Sequence, residues 1–439
     1  MSVAPSTDEA KSPIMAEVPG RGGPTDPSHD ELLRRGILHT DVSRRVAVLL
    51  VGVFVLLIVA MPLLQLALEK ANDEPPLVLE LFQQWPDEQR LRQFEDSLEE
   101  TSYVKGAVQP RVQEVLTRFA RSGNKKAAVG HDGLLYYVPG ITYLSGPGFL
   151  SAHAIDSRVR GARLRGGEVP AADPRPAILE FHALLAARGI ELVLFPVPDK
   201  AMVEPDGLHG RASSRVGAPI ENNRDFSRFV AELRGRGVRV FDPTPASRGG
   251  ERRFLTQDTH WTPRWMERVA RDLASFVAPS LPPRPAPSWK RVATQVERVG
   301  DITDMLKLPE QQRLFPKETV TVHTIKNADD TVWEPDPEAD VLLLGDSFTN
   351  IFSMDYMGWG EAAGLGPQLA FALGRGVDVL AQNDAGAQAT RKSLETELKG
   401  GEDRLAGKKV VIWQFAAREL SVGDWARIDW SFARKAPVP

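Results

Sequence analysis

The chain has 439 residues, 42% hydrophobic and 26% charged, with no cysteine and a formal net charge of −4. That length leaves room for two or three domains and a sizeable core. The missing thiols exclude disulfides, thiolate nucleophiles and Cys-based zinc sites, and without a run of Lys or Arg nucleic acid finds no concentrated basic face.

Residues 1–45, rich in Pro, Ser, Gly and acidic groups, are expected to form a disordered cytoplasmic tail. An uncharged apolar run follows over 46–68, VAVLLVGVFVLLIVAMPLLQLAL. At about 1.5 Å per residue it reaches roughly 35 Å, enough for a hydrocarbon core of about 30 Å. Soluble core helices rarely run so long without a charge, and the long stretch ahead of it is unlike the n-region of a signal peptide. Arg34, Arg35, Arg44 and Arg45 precede the run, whereas Glu69, Lys70, Asp73 and Glu74 follow it. The positive-inside rule then predicts a single-pass anchor in the inner (cytoplasmic) membrane with a periplasmic, extracytoplasmic body. Pro62 predicts a kink near the outer end of the span, which a membrane helix tolerates.

Residues 69–125 are expected to be a helical linker region. Leu91, Phe94 and Leu98, then Val112, Val115, Leu116 and Phe119, recur at helical spacing and predict two helices. HDGLLYY, 131–137, reads as an Asp-Gly turn entering a strand. A βα alternation begins at 177, with helices over 177–188 and 225–234, strands over 190–197 and 238–241, and a helix over 263–277. PSLPPRPAP, 279–287, is a stiff surface connection. Strands over 318–323, 341–345, 377–381 and 410–415 follow, with helices near 367–373 and 389–398. Continuous apolar strands separated by helices predict an α/β fold with a mostly parallel sheet flanked by helices.

VLLLGDSFTN, 341–350, halts an apolar strand on Gly-Asp-Ser and places Ser347 past a carboxyl end, where sites lie in open α/β sheets. The triplet alone is equally the vocabulary of an ordinary turn or cap. A serine nucleophile also needs a base and an orienting carboxylate. Of the eight histidines, His131, His182 and His323 fall in a turn, a helix and a strand and read as structural. His260 lies in LTQDTHWTP, 255–263, a polar loop before a helix start marked by Thr262 and Pro263. From two residues upstream Asp258 can fix the imidazole through Nδ1, leaving Nε2 for Ser347, with Trp261 walling the ring from water. The competing reading makes Asp258 and His260 plain loop and cap residues.

GDSF preceded by DTHW resembles the alginate O-acetyltransferase family, the AlgJ- and AlgX-like members of the SGNH-hydrolase superfamily. VPDKAMVEP (197–205), GDITDML (300–306) and WQFAAREL (413–420) extend the resemblance over roughly residues 75 to 430. Most SGNH enzymes place the serine block first; here the Asp/His block leads, as in the acetyltransferases. The resemblance implies an SGNH-like acetyltransferase domain over 126–435, with Ser347 as nucleophile, His260 as base and Asp258 as orienting carboxylate. The Ser347 N–H is the expected oxyanion donor. Asn383, in AQNDAGAQ, stands where the superfamily has its asparagine block, although Ala381 departs from the usual Gly-x-Asn-Asp. Arg418, just past the last strand, either meets a carboxylated or hydroxylated sugar or forms a salt bridge with Glu419 or another acid.

The implied activity is two-step transfer of acetyl to hydroxyls of a secreted polysaccharide. No cofactor or metal is implied, and the acetyl donor is expected from a partner, a multi-pass membrane-bound acyltransferase. Three alternatives stand beside it: an extracytoplasmic carbohydrate esterase or deacetylase with the same triad, a non-catalytic scaffold of a polysaccharide export complex, and a metal-dependent hydrolase built on Asp258, His260 and Asp346.

Overall fold

A computed structural model of the chain describes residues 43–81, 85, 87–209, 219–245, 249–383 and 386–433. Apart from its last residues, the predicted N-terminal tail lies outside the described residues. The chain divides into two compact units, one ending at Pro86 and the other starting at Asp87.

In the first unit a helix spans Arg44–Ala71, opened by Ser43, whose hydroxyl accepts the Val46 N–H. It runs through Pro62 without a break. It is long and apolar enough to cross a membrane, and side chains such as Leu49, Phe54, Leu56 and Leu63 point outward, as lipid-facing residues do.

The second unit opens with helices over Glu88–Thr101 and Tyr103–Ala120. Each starts on a capping side chain: Asp87 accepts the Arg90 N–H at 2.8 Å and Ser102 accepts the Lys105 N–H at 3.2 Å. A hairpin follows, β1 (Ala127–Val129) with β2 (Leu135–Tyr137), turned at Asp132 and Gly133, both with positive φ. The chain then forms β3 (Glu191–Val197), β4 (Arg239–Val240), β5 (Lys290–Arg298), β6 (Glu318–Lys326), β7 (Val341–Gly345), β8 (Asp378–Ala381) and β9 (Val410–Ala416).

Five of these strands make one sheet in the order β4-β3-β9-β7-β8, every neighbouring pair parallel. Helices over Phe226–Gly235, Pro263–Val277, Leu365–Leu373 and Ala389–Lys399 supply the four crossovers, and a helix over Pro174–Ala187 leads into β3. Val341 to Leu344 and Val410 to Phe415 are buried throughout, each large apolar side chain stabilising the fold by about 1.5–3 kcal/mol. This is the mostly parallel α/β architecture the sequence pattern predicts, with one correction. The strand expected over 318–323 pairs antiparallel with β5 in a separate ribbon and never joins the parallel sheet. The reason is its composition: ETVTVH alternates polar and apolar residues, the pattern of a half-exposed antiparallel strand, and β5, KRVATQVER, is more polar still and carries no clear strand signal.

Because the sheet is parallel, the segments leaving β3, β7, β8 and β9 emerge at one edge. Every predicted site residue lies on one of these segments or on the loop between β4 and the Pro263–Val277 helix.

Candidate active site

Gly345 ends β7 with no room for a side chain, since a Cβ there would collide with the Thr349 hydroxyl. Asp346 then secures the turn. Its carboxylate accepts the N–H groups of Phe348 and Ala416 and the Gln414 amide, each at 2.8 Å. Gln414 Oε1 in return accepts the Asp346 N–H at 3.0 Å and the Thr349 hydroxyl at 2.7 Å. These bonds staple the turn to β9 and leave Ser347 as the first residue of a short helix, Ser347–Asn350. They also commit Asp346 to the sheet, so the metal trio of Asp258, His260 and Asp346 does not assemble.

Ser347 Oγ lies 2.8 Å from His260 Nε2, and His260 Nδ1 lies 2.6 Å from Asp258 Oδ1. Asp258 accepts four N–H groups. Oδ1 takes the ring and backbone N–H of His260; Oδ2 takes the Asp301 N–H and the Trp359 indole, both at 3.1 Å. Burial penalises its charge, but His260 and these donors hold it well below the usual carboxylate range. Burial likewise opposes a charged His260, yet the Asp258 charge and hydrogen bond outweigh it and raise the imidazole. An ionised Asp258 keeps the proton on Nδ1 and leaves Nε2 to accept from Ser347.

The loop carrying this pair is fixed from three sides. Lys200, fully buried, donates to the carbonyls of Leu135 (2.6 Å), Leu255 (2.7 Å) and Thr256 (2.8 Å), and burial lowers it to about 8. Asp301 accepts the Thr259 N–H at 2.7 Å and also the Thr259 hydroxyl. Burial and the neighbouring Asp258 charge push Asp301 up to about 6. Gly300 allows the close approach, because a Cβ there would strike the backbone of Gln257 and Asp258. The potential metal-ligand atoms of Asp258, His260 and Asp301 lie within 4.8 Å of one another. The same atoms take part in the hydrogen bonds just described.

Ser347, His260 and Asp258 border a cleft of about 300 Å³, lined among others by Tyr137, Arg298, Asp301, Tyr356, Trp359, Asn383 and Arg418. Residues 161–417, more than half of the chain, match the model of the SGNH hydrolase-like domain of the acetyltransferase AlgX. The chain belongs to this AlgX-type family. It is 28% identical over 250 residues to the probable alginate O-acetylase AlgJ of Pseudomonas fluorescens, a match covering 55% of this chain and 59% of that protein. It is 24% identical over 258 residues to that of Azotobacter vinelandii, covering 56% of this chain and 63% of the relative. The chain therefore spans less than two thirds of the length of these curated relatives. Among solved structures, the O-acetyltransferase domain of Pseudomonas putida AlgJ superposes with a TM-score of 0.48 at 22% identity, covering 70% of this chain and 94% of that one. Pseudomonas aeruginosa AlgX gives 0.45 at 16%, covering 68% and 67%.

Within this AlgX-type domain the remaining expected residues fare differently. Arg418 reaches the cleft and forms an ion pair with an acid, Asp199 (2.8 Å), and its guanidinium lies over the rings of Tyr137 and Phe348. Asn383 lines the cleft too. Its Oδ1 accepts from Asn350 at 2.9 Å, while its Nδ2 donates to Tyr356 Oη at 2.7 Å and faces Met357 Sδ at 3.3 Å. A free oxyanion donor is therefore not what this amide presents. Trp261 does not wall the imidazole. It is fully buried in the core against Phe195, Trp265 and Phe348, because its side chain leaves the loop on the sheet side. The Phe348 ring takes that place, with its centroid 4.8 Å from that of His260.

Sequence reasoning missed Asp301, Asp199 and Lys200 as site residues, although GDITDML and VPDKAMVEP carry them. Trp359 had no signal at all, being one tryptophan in a Gly-rich loop.

Proposed function

We propose that this protein is a membrane-anchored extracytoplasmic O-acetyltransferase that acetylates a secreted polysaccharide through an acetyl-serine at Ser347. The observation that carries this reading is the unbroken chain Ser347 Oγ–His260 Nε2 and His260 Nδ1–Asp258 Oδ1, at 2.8 and 2.6 Å, opening into a cleft. The relatives named alginate O-acetylase support the acyl group and the acceptor class.

In the first step Ser347 Oγ attacks the acetyl carbonyl of the donor while its proton passes to His260 Nε2. The tetrahedral adduct collapses, the donor's leaving group departs with that proton, and acetyl-Ser347 remains. In the second step a sugar hydroxyl gives its proton to His260 and attacks the ester. Ser347 Oγ leaves and takes the proton back, restoring the enzyme. Asp258 stays ionised throughout and stabilises the imidazolium. The Ser347 N–H, which has no hydrogen-bond partner among the described residues, is the oxyanion donor we assign. Arg418 borders the sugar side of the cleft, held by Asp199. No cofactor enters the scheme. The donor acetyl comes from a multi-pass membrane acyltransferase, since a single apolar helix cannot carry acetyl through a bilayer, and the anchor sits in the inner membrane.

The test is intact-mass spectrometry of the detergent-solubilised chain after exposure to p-nitrophenyl acetate. One acetyl adduct is expected on the parent and none on Ser347→Ala or His260→Ala. Adding acetyl-free oligosaccharides then separates transfer from hydrolysis. Folded protein that forms no adduct leaves the scaffold reading standing.

A further inference from the structure

The helix over Tyr103–Ala120 is built inside out. Its buried face is polar: Gln113 and Thr117 are 8% and 5% exposed. Gln113 Nε2 donates to Thr117 Oγ1 (3.0 Å) and to the carbonyls of Ser122 (3.0 Å) and Gly123 (3.4 Å). Its outer face is apolar. Val108, Val112, Val115, Leu116 and Phe119 are all exposed, Phe119 to 79%. At about 3.6 residues per turn these positions fall within roughly 100° of arc and form one stripe along the helix. Water-facing helices carry the opposite arrangement, so something other than water covers this stripe.

Charge says what the cover is. From Arg111 to Lys126 the chain carries exposed Arg111, Arg118, Arg121, Lys125 and Lys126 against a single acid, Glu114, which Arg118 holds at 3.4 Å, while Lys105 is paired with Glu99 at 2.9 Å. An apolar stripe accompanied by exposed cations is the signature of a helix lying in the interface of an anionic bilayer. The membrane is also at hand, since the helix over Arg44–Ala71 that is suited to span it lies a short stretch upstream.

We propose that the Tyr103–Ala120 helix lies in the interfacial region of the bilayer, its Val108–Phe119 stripe among acyl chains and its basic residues at anionic headgroups. It is a second membrane attachment, independent of the catalytic reading above. The gain over the anchor alone is orientation: a single tethering helix leaves the domain free to tumble, whereas an interfacial helix restrains it.

The chain has no cysteine, so single-cysteine labelling is clean. Val112→Cys, Phe119→Cys and Ser275→Cys, the last an exposed position on another helix, each receive an environment-sensitive fluorophore. The full chain is reconstituted into phosphatidylcholine vesicles with or without phosphatidylglycerol, and with or without spin-labelled acyl chains. Labels at 112 and 119 are expected to shift to the blue and lose several-fold in intensity to the lipid quencher, more so with phosphatidylglycerol, while the label at 275 does neither. Arg111→Glu with Arg118→Glu is expected to abolish the phosphatidylglycerol dependence. Labels at 112 and 119 as wet and unquenched as the one at 275 overturn the proposal. So does shielding that follows protein density or an added membrane protein and not lipid charge, which would assign the stripe to a second copy or another partner. Any labelled variant whose thermal melt departs from the parent is replaced by Val108→Cys or Val115→Cys.

Discussion

The indole N–H of Trp359 donates to Asp258 Oδ2 at 3.1 Å, across 101 residues of sequence. It is one of four N–H groups that keep this buried carboxylate ionised. Trp359→Phe keeps a ring in place and deletes the donor, and a hydrogen bond to a charged group is worth about 1.5–3 kcal/mol. Acetyl-ester turnover is expected to fall roughly 10-fold or more in kcat. Steady-state kinetics check this, and an unchanged kcat removes Trp359 from the site.

The pH dependence follows from His260. The proposed mechanism uses its neutral form, and its folded pKa is raised, so the rate is expected to be lost as pH falls through that raised value. Stability runs the other way: the His260 contribution is complete below the ordinary histidine value, about 6.5, and is lost as pH rises through the folded one. Asp258→Asn removes the charge that raises His260 and frees the imidazole to take the wrong tautomer. The acid limb is expected to move to lower pH while the plateau drops on the order of 10⁴-fold. A pH–rate profile of both proteins reads each effect.

Asp301 acts on the same limb from outside the triad. Its negative charge also favours a protonated His260, and its own pKa stands at about 6. Asp301→Asn is therefore expected to shift the acid limb to lower pH while retaining most of the plateau rate. A carboxyl raised above its unfolded value lends stability that is lost as pH rises through the folded value. The variant lacks that loss, so its melting temperature should vary less than the parent's between about pH 4 and 7, the window from the ordinary carboxylate value to just above the folded one. An acid limb identical to the parent's would remove Asp301 from the electrostatics of the site.

Gly300→Ala tests the backbone. The added methyl meets the Gln257 carbonyl and the Asp258 N–H, and overpacking of this kind costs about 1–3 kcal/mol. Displacing Asp258 from His260 should lower kcat with little change in KM. Kinetics alongside a thermal melt distinguish this from general unfolding.

Asp199 is buried, Arg418 is 11% exposed at the side chain, and the two are joined at 2.8 Å. Asp199→Asn leaves the guanidinium uncompensated, a loss of about 3–5 kcal/mol. Replacing both by Ala should cost less than the sum of the single changes. A double-mutant cycle on melting temperature reports the coupling, and strict additivity would show that the pair is not an interaction unit.

The sequence determined the local features of this protein: the strands of the parallel sheet and the helices between them, where the apolar span lies, and that Gly-Asp-Ser ends a buried strand. It did so because apolar periodicity, caps and turn residues act within a few positions of one another. It also brought forward Ser347, His260 and Asp258 as candidates, since their neighbours mark strand ends and a helix start. Tertiary structure decided the rest. It sent ETVTVH to a separate ribbon, turned Trp261 into the core in favour of Phe348, gave Arg418 to Asp199 and brought Trp359 and Asp301 to Asp258. It also left the Val108–Phe119 stripe outside. Each of these depends on which segments the parallel sheet draws together, and a hydrogen bond such as that from Trp359 to Asp258 exists only once the packed chain closes the long separation between them.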